Sequence, residues 1–392
     1  MDRACRCRSC RDNADLHKVT HSAVRGCCLF LWDRTDSGRV CPRDLGRNAR
    51  VKGTKLRGVV AVLAAVVAVQ LTACSAGGGQ PHPVGATPKV ALVLGGSATD
   101  RGFNQVAADA ASELQKRGAI SFQVSENVTN AEAESKMRQY ATSGYDLVVG
   151  WGLGFSDTVF KVATQIPTAR FVATGGVDIL NKATPSVETW TYAAEQLGYL
   201  MGIIAGSTQL SPVGIVDGEQ APFVQAQWFG FSQGLAATNP AARQLPPVYT
   251  GSWEDAARAS QATAAQIAAG ARLVATNAEG YSPGVASAAQ AGGIATVGLA
   301  TLTSAAAASV NVGQVKTDLT PILTEWITRL KNGTFGSRGT TSTIANRSLV
   351  PADLTSVAAA PGMPSDLDKR IADLAERLRA GTVTITPWQP GR

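Results

Sequence analysis

From residue 75 to residue 392 the chain has no cysteine and a single histidine, His82, set among glycines and prolines. A thiolate zinc site, a disulfide framework, a cysteine nucleophile and a Ser-His-Asp relay each need residue types that this stretch lacks. Six of the seven cysteines, at positions 5, 7, 10, 27, 28 and 41, lie in the first fifty residues, and the seventh is Cys74. An excess of positive charge is missing from the same stretch. Residues 1–73 carry fourteen of the 36 Lys and Arg but only six of the 29 Asp and Glu, so the formal charge of +7 belongs to them. The remainder is close to neutral, which argues against a nucleic-acid partner. Long apolar runs are also scarce. Residues 59–69 are eleven uninterrupted apolar residues. As a helix they rise about 16 Å, short of the ~30 Å hydrocarbon core that a spanning segment must cross.

Lys52, Lys55 and Arg57 precede that run, and Leu71-Thr72-Ala73-Cys74 ends it. Positive charge, apolar run and small residues in this order form an export signal, here over 51–73. The four residues ending in Cys74 resemble a bacterial lipobox, whose cysteine is acylated and becomes the mature amino terminus. Two or three acyl chains anchor far more firmly than one, since each buried CH₂ contributes about 0.8 kcal/mol. The protein is therefore expected on the outer face of the cytoplasmic membrane, tethered through residues 74–88. Residues 1–50 have no role in export; they read as an upstream extension without a fold, with initiation at or near Val51.

After the tether, strand-like runs alternate with helical patterns. Residues 89–94 (KVALVL) read as a buried strand and 105–117 as a helix. Strands are expected over 121–124, 147–150 and 170–173, with helices over 131–143 and 157–165. The rhythm restarts with a helix over 195–208. Strands at 213–216, 247–249, 272–276 and 294–297 then alternate with helices at 222–238, 256–269 and 284–291. Residues 316–331 read as one amphipathic helix, and the tail as a helix over 365–379 followed by a strand over 382–386. Alternation of this kind is the signature of α/β architecture with doubly wound parallel sheets. Its restart predicts two lobes: 89–191 with part of 305–352, and 192–304, followed by a carboxyl-terminal segment, 353–392.

Two exported, tethered α/β lobes suggest a protein that closes around a small solute. Ligands of open α/β sheets lie beyond the carboxyl ends of the strands, so the loops after each strand hold the candidates. Asp100, Phe103 and Asn104 follow the first strand, and Gly152, Phe155 and Ser156 follow the third. Each group offers backbone N–H groups, polar side chains and a ring.

Several motifs occur in a consistent order between about Pro88 and Ala352: Asp100-x-Gly102-Phe103-Asn104; Gly144-Tyr145-Asp146-Leu147-Val148-Val149-Gly150-x-Gly152 with Phe155; Tyr199-Leu200-x-Gly202; Gly230-Phe231-x-x-Gly234; Tyr249-x-Gly251-Ser252-Trp253-x-Asp255; and Gly270-Ala271 ahead of Gly280 and Gly284. The series resembles the basic membrane protein family of ABC-transporter solute-binding lipoproteins, of the purine nucleoside receptor type. The resemblance implies a type I periplasmic-binding-protein fold, two doubly wound lobes joined by a multi-strand hinge, with a nucleoside between them. It also implies an ABC permease as partner, a monomeric receptor, and neither cofactor nor metal nor catalysis. By resemblance Phe103 stacks on a base, Asp100 and Asn104 bond its edge, and Gly152, Phe155 and Ser156 approach from the same lobe. Where relatives carry a second stacking aromatic this chain has Ala275, and their ribose-binding aspartate and lysine fall at Ala300 and Gln314. Trp253, Glu279, Gly280 and Tyr281 are the residues that would substitute.

Structural roles compete for the same residues: Asp100 as a helix cap, and Phe103, Phe155, Trp228 and Trp253 as packing. The pattern Gly-x-Ser-x-Gly occurs at Gly230–Gly234 and again at Gly280–Gly284. A nucleophile elbow needs a strand-to-helix turn and a general base, and no histidine is available to either serine. The alternative to transport is a lipoprotein sensor that uses the same fold to signal to a membrane partner.

Overall fold

The computed structural model describes residues 84–100, 102–152, 154–277, 280–299 and 304–389. The extension, the export signal and Cys74 lie outside them.

The first lobe is a six-stranded parallel sheet. It is built from β1 (Lys89–Leu94), β2 (Ser121–Ser125), β3 (Leu147–Trp151), β4 (Phe171–Thr174), β5 (Val187–Tyr192) and, from much later in the chain, β11 (Gly339–Ser342). Their order is β11-β5-β4-β3-β1-β2. Helices α1 (Phe103–Lys116), α2 (Asn130–Thr142) and α3 (Ser156–Gln165) connect the first four strands. From Val90 to Leu94 every residue of β1 is buried, as expected of a parallel strand covered on both faces. A reciprocal capping box fixes the start of α2: the Thr129 hydroxyl accepts from the Glu132 N–H, and the Glu132 carboxylate accepts from the Thr129 N–H.

The second lobe repeats the plan after α4 (Ala194–Ser207), with β6 (Val213–Asp217), α5 (Pro222–Thr238), β7 (Val248–Tyr249), α6 (Ala256–Ala268), β8 (Leu273–Ala275), α7 (Ser282–Gly292), β9 (Ala295–Val297) and α8 (Ala305–Val310). Its parallel strands run β7-β6-β8-β9. Helices α4 and α5 pack backbone to backbone. A Cβ on Gly202 would lie 2.2 Å from the Phe231 carbonyl oxygen, and one on Gly230 would lie 1.9 Å from that of Glu195. The glycines of the first Gly-x-Ser-x-Gly pattern therefore serve helix contact. The Ser232 hydroxyl donates to the Trp228 carbonyl at 2.9 Å.

Three sequence expectations are corrected. Residues 316–331 are not one helix: β10 (Gln314–Thr317) pairs antiparallel with β12 (Leu349–Ala352), and α9 (Thr320–Lys331) begins only afterwards. Pro321 in its first turn favours a helix start there. Helix α8 packs through Ala307 and Val310 into the second lobe's core, beyond the expected limit at 304. The tail helix α10 is present as Leu367–Arg379, but 382–386 forms no strand. In its place the Gln233 side-chain amide bonds both the N–H and the carbonyl of Thr386, at 2.9 and 3.0 Å. A side chain thus satisfies the backbone groups that a strand partner would have taken.

The chain passes between lobes at the carboxyl ends of strands: from Tyr192 at the end of β5 into α4, from residues 311–313, which follow α8 and pair beside β9, through β10 into α9, and from the end of β11 through β12 into the tail. Helix α9 packs into the first lobe's core through Leu323, Trp326 and Leu330, and α10 into the second lobe's through Ile371 and Leu374. Tyr192 packs against both cores. A buried ion pair fixes α9 to the first sheet. The Arg329 guanidinium meets both oxygens of Glu188 on β5 at 2.9 and 2.5 Å, and the Gly336 N–H donates to the same carboxylate at 3.1 Å.

Removing Glu188 leaves the buried guanidinium only its 3.1 Å pair with the exposed Glu325, and breaking a buried pair costs about 3–5 kcal/mol. Glu188→Ala is expected to lower stability by that amount in urea unfolding. Asp178→Ala, which breaks an exposed 3.0 Å pair with Lys182, should change it by less than about 1 kcal/mol. Similar losses in the two variants would contradict the assignment.

Candidate ligand-binding site

The strand order β2-β1-β3-β4-β5 places the topological switch point of the first sheet between β1 and β3, where loops leaving in opposite directions open a crevice. The second sheet has the corresponding point between β6 and β8. The candidate loops of the first lobe, after β1 and β3, therefore meet at one place.

Asp100 organises the first of these loops. One carboxylate oxygen accepts the N–H groups of Gly102 and Gln105 at 2.9 and 3.0 Å. The other accepts the N–H of Asn104 at 3.1 Å and its side-chain amide at 2.7 Å. Four donors match the roughly four lone-pair sites of a carboxylate, so Asp100 serves the start of α1. The Asn104 side-chain oxygen accepts the Gly96 N–H at 3.1 Å, which closes the loop on itself.

This loop presents Phe103. Its ring stacks on Trp151 at 4.9 Å and 22°, and the Trp151 indole N–H donates to the Phe103 carbonyl at 2.7 Å. Trp151 is fully buried at the end of β3, while Phe103 is half-buried. Trp190 lies 4.5 Å from Trp151 and 6.2 Å from Tyr192, continuing the rings to the crossover. Gly152 leaves room for Phe155, whose ring atoms would lie 2.8 Å from a Cβ there. Phe155 itself is only 1% exposed and packs with Val93, Met137 and Val159. Its expected place on the ligand is thus taken by a place inside the lobe. Ser156 is half-buried at the start of α3.

In the second lobe Tyr281 is likewise fully buried rather than on the surface. Its hydroxyl lies 3.2 Å from a carboxylate oxygen of Asp217 and 3.1 Å from the Thr276 hydroxyl. Asp217, at the end of β6, also accepts from the Gly218 N–H and the Trp228 indole N–H, both at 2.7 Å. Burial pushes its carboxyl up to about 6, against the pull of these three donors. Next to it, the Asn277 amide donates to the buried Gln227 side chain at 2.6 Å. Trp253 is half-buried. Its ring lies across Gly218, where a Cβ would come within 2.4 Å, and stacks on Phe223 at 6.1 Å and 20°. Gly280 accommodates the Glu254 carboxylate, which a Cβ would strike. Gln314 is buried and donates to Asp353 at the end of the β10–β12 pair. Glu279 and Ala300 lie outside the described residues.

The loop reading singled out neither Asp217, Trp151, Trp190 nor Phe223. Asp217 had a signal, a charged residue closing an apolar strand run. Phe223 had one too, a ring in the first turn of a helix, as Phe103 is. A hollow of about 450 Å³, lined by Phe160, Arg170, Pro185 and Ser186 among others, sits at the amino ends of β4 and β5. That is the opposite end of the sheet from the switch point, so it is not the candidate site.

The two parallel sheets, with a short antiparallel pair and carboxyl-end crossovers between them, define a type I solute-binding fold. The family described as "ABC transporter substrate-binding protein PnrA-like" (Bmp) matches residues 87–342, and the chain belongs to it. This is a family of solute-binding proteins, not enzymes. An ABC transporter solute-binding protein from Conexibacter woesei is 35% identical, with a TM-score of 0.71, over 77% of this chain and 99% of that one. The "ABC transporter nucleoside-binding protein BmpA" of Lactococcus lactis is 26% identical over 49% of this chain and 55% of its own. "Basic membrane protein A" of Borreliella burgdorferi is 24% identical over 43% and 49% respectively. The chain spans about half the length of the curated relatives it matches.

An unfolded aspartate releases its proton near 3.8 and Asp217 in the fold near 6. Between those values the folded state holds the extra proton, so stability falls as pH rises through the window, by about 3 kcal/mol in total. Urea unfolding from pH 4 to 7 should show this fall, and Asp217→Asn should flatten it. Parallel profiles for the two proteins would rule out Asp217 as its source.

Proposed function

We propose that the protein is a lipid-anchored receptor on the outer face of the cytoplasmic membrane that binds a nucleoside-like solute between its lobes and delivers it to an ABC permease. The observation that carries this reading is the Phe103 ring, half-exposed at the switch point and held on Trp151 by stacking and an N–H bond. A rigid ring in that crevice suits a planar base, and stacking on a base contributes about 1–3 kcal/mol. The nucleoside-binding name of the Lactococcus relative supports the same class. Asn104, Ser156 and the backbone after β1 and β3 supply the nearby polar groups. The antiparallel pair β10–β12, with the crossover after Tyr192, is short enough to act as a hinge, so closure would bury the solute between two carboxyl ends.

A panel of purine and pyrimidine nucleosides, with sugars and amino acids as controls, tests the solute class by unfolding and tryptophan fluorescence. A nucleoside at 100 times its dissociation constant should stabilise the protein by about 2.7 kcal/mol. No response to any nucleoside would reject that class. The anchor is tested separately: Cys74→Ser should move the protein from the membrane fraction to the soluble exported fraction, and retention on the membrane would reject acylation at Cys74.

A further inference from the structure

We infer that the face of the first lobe formed by the amino ends of its strands is a resting surface for the anionic lipid head groups of the membrane to which the chain is tethered. The inference rests on the lipid-anchored reading above and adds how the anchored protein lies.

The strands of the first sheet are parallel, so all six enter from one end, and α1, α2, α3 and α9 return the chain to that same end. The loops and last turns gathered there are residues 84–89, 115–121, 142–147, 165–171, 182–187 and 331–339. They hold seven basic residues and one acid. The acid, Asp146, is buried and accepts the Lys89 backbone N–H at 2.8 Å. Arg117 and Lys182 pair with carboxylates four residues before them, Glu113 and Asp178. Lys89, Lys116, Lys331 and Arg338 are exposed and Arg170 is half-buried. Among the described residues none of these five has a carboxylate within ion-pair distance.

The excess is local. The matching loops of the second lobe, at the amino ends of β6 to β9, carry only Arg243 and Arg272. At the other end of the first sheet the sign reverses: the stretches leaving β1 to β4 hold Asp100, Glu126, Asp157 and Asp178 against one arginine, Arg101. Helix dipoles explain part of this pattern, since a last turn favours a cation, and Lys116 and Lys331 end their helices. Lys89, Arg170 and Arg338 stand at strand entries, where no such field calls for them. Arg170 lies in the hollow with Phe160, Pro167 and Pro185. One of its nitrogens reaches three carbonyls of its own loop, each at a long 3.4 Å. Burial lowers its pKa. A phosphate head group supplies the anion that this guanidinium lacks, in a geometry that suits its fork.

The tether selects the partner. Lys89 opens β1 and follows Cys74 by fifteen residues, so acyl chains on Cys74 hold this end within about 50 Å of the bilayer. A polybasic patch is the kind of second signal that strengthens a lipid anchor. The candidate ligand site lies at the carboxyl ends of the same strands, so contact with lipid at their amino ends leaves it open to solute.

The test uses the Cys74→Ser chain, which carries no acyl group, so attraction to a surface is read by itself. It is sedimented with vesicles of about three parts phosphatidylglycerol to seven of phosphatidylcholine, and with vesicles of phosphatidylcholine alone. Lys89→Gln, Lys331→Gln and Arg338→Gln together should lower partitioning onto the mixed vesicles about a hundredfold, since each basic residue near an anionic surface contributes roughly fivefold. Arg243→Gln with Arg272→Gln should change it by less than about twofold. Residues 1–73 are common to every arm, and urea unfolding should be the same in all, because the five side chains are exposed. If the triple variant binds as well as its parent, or if phosphatidylcholine alone binds the parent equally, this inference fails while the anchor stands. If inorganic phosphate displaces the protein more than sodium chloride of equal ionic strength, Arg170 serves a discrete phosphate site instead, and the inference fails too. Failure of the anchor reads differently: Cys74→Ser retained on cell membranes after a wash in about 0.5 M NaCl, which releases a chain held by charge alone, rejects acylation whatever the vesicles show.

Discussion

Because all the strands of each sheet are parallel, every carboxyl end lies on one edge, and each of the three described crossovers leaves from such an edge. The second sheet is therefore reached from the carboxyl side of the first, and the first from the carboxyl side of the second. This constraint sets two switch points toward the connection between the lobes, with the antiparallel pair β10–β12 beside it. Tyr192, touching both cores, marks where one ends and the other begins. The buried Glu188–Arg329 pair serves the same arrangement: it pins α9, which follows β10, to the strand that leaves toward the other lobe.

Around those crossovers the first lobe is stiffened by rings. Phe103, Trp151, Trp190 and Tyr192 follow one another at 4.9, 4.5 and 6.2 Å. The two indole N–H groups are tied to the Phe103 carbonyl and the Ser342 hydroxyl. The row of rings thus ends on β5 and β11, the two strands from which the chain crosses. Packed interiors have low compressibility, so these contacts make the carboxyl end of the first sheet a rigid unit.

Much of this organisation was legible in the sequence, because parallel strands buried on both faces give continuous apolar runs and the helices between them give their own period. The two-lobe repeat followed from the restart at α4. Less legible was which way a chosen residue faces. Phe155 and Tyr281 stand in loops that follow strands, as expected, yet both rings turn inward, because each begins a helix whose first turn also covers the sheet. Asp100 looked like a group awaiting a ligand, but the loop folds so that its own N–H groups fill the carboxylate. The strand expected at 382–386 failed for a different reason: a single amide side chain, Gln233, can imitate a strand partner, and no periodicity records that.

Asp100 and Asp217 sit in very different surroundings. Asp100 lies in the loop after the first lobe's leading strand and Asp217 ends the second lobe's. Asp100 accepts three backbone N–H groups and a side-chain amide, Asp217 one backbone N–H, an indole N–H and a phenol hydroxyl. Asp100 is half-exposed and collects four donors, whereas Asp217 is 1% exposed and collects three. Burial penalises the charged form, and donors favour it. At Asp217 burial prevails over its donors, and the carboxyl holds its proton to about 6. The floor beneath the second switch point therefore carries a charge that the fold only weakly tolerates, surrounded by indole, phenol and amide groups.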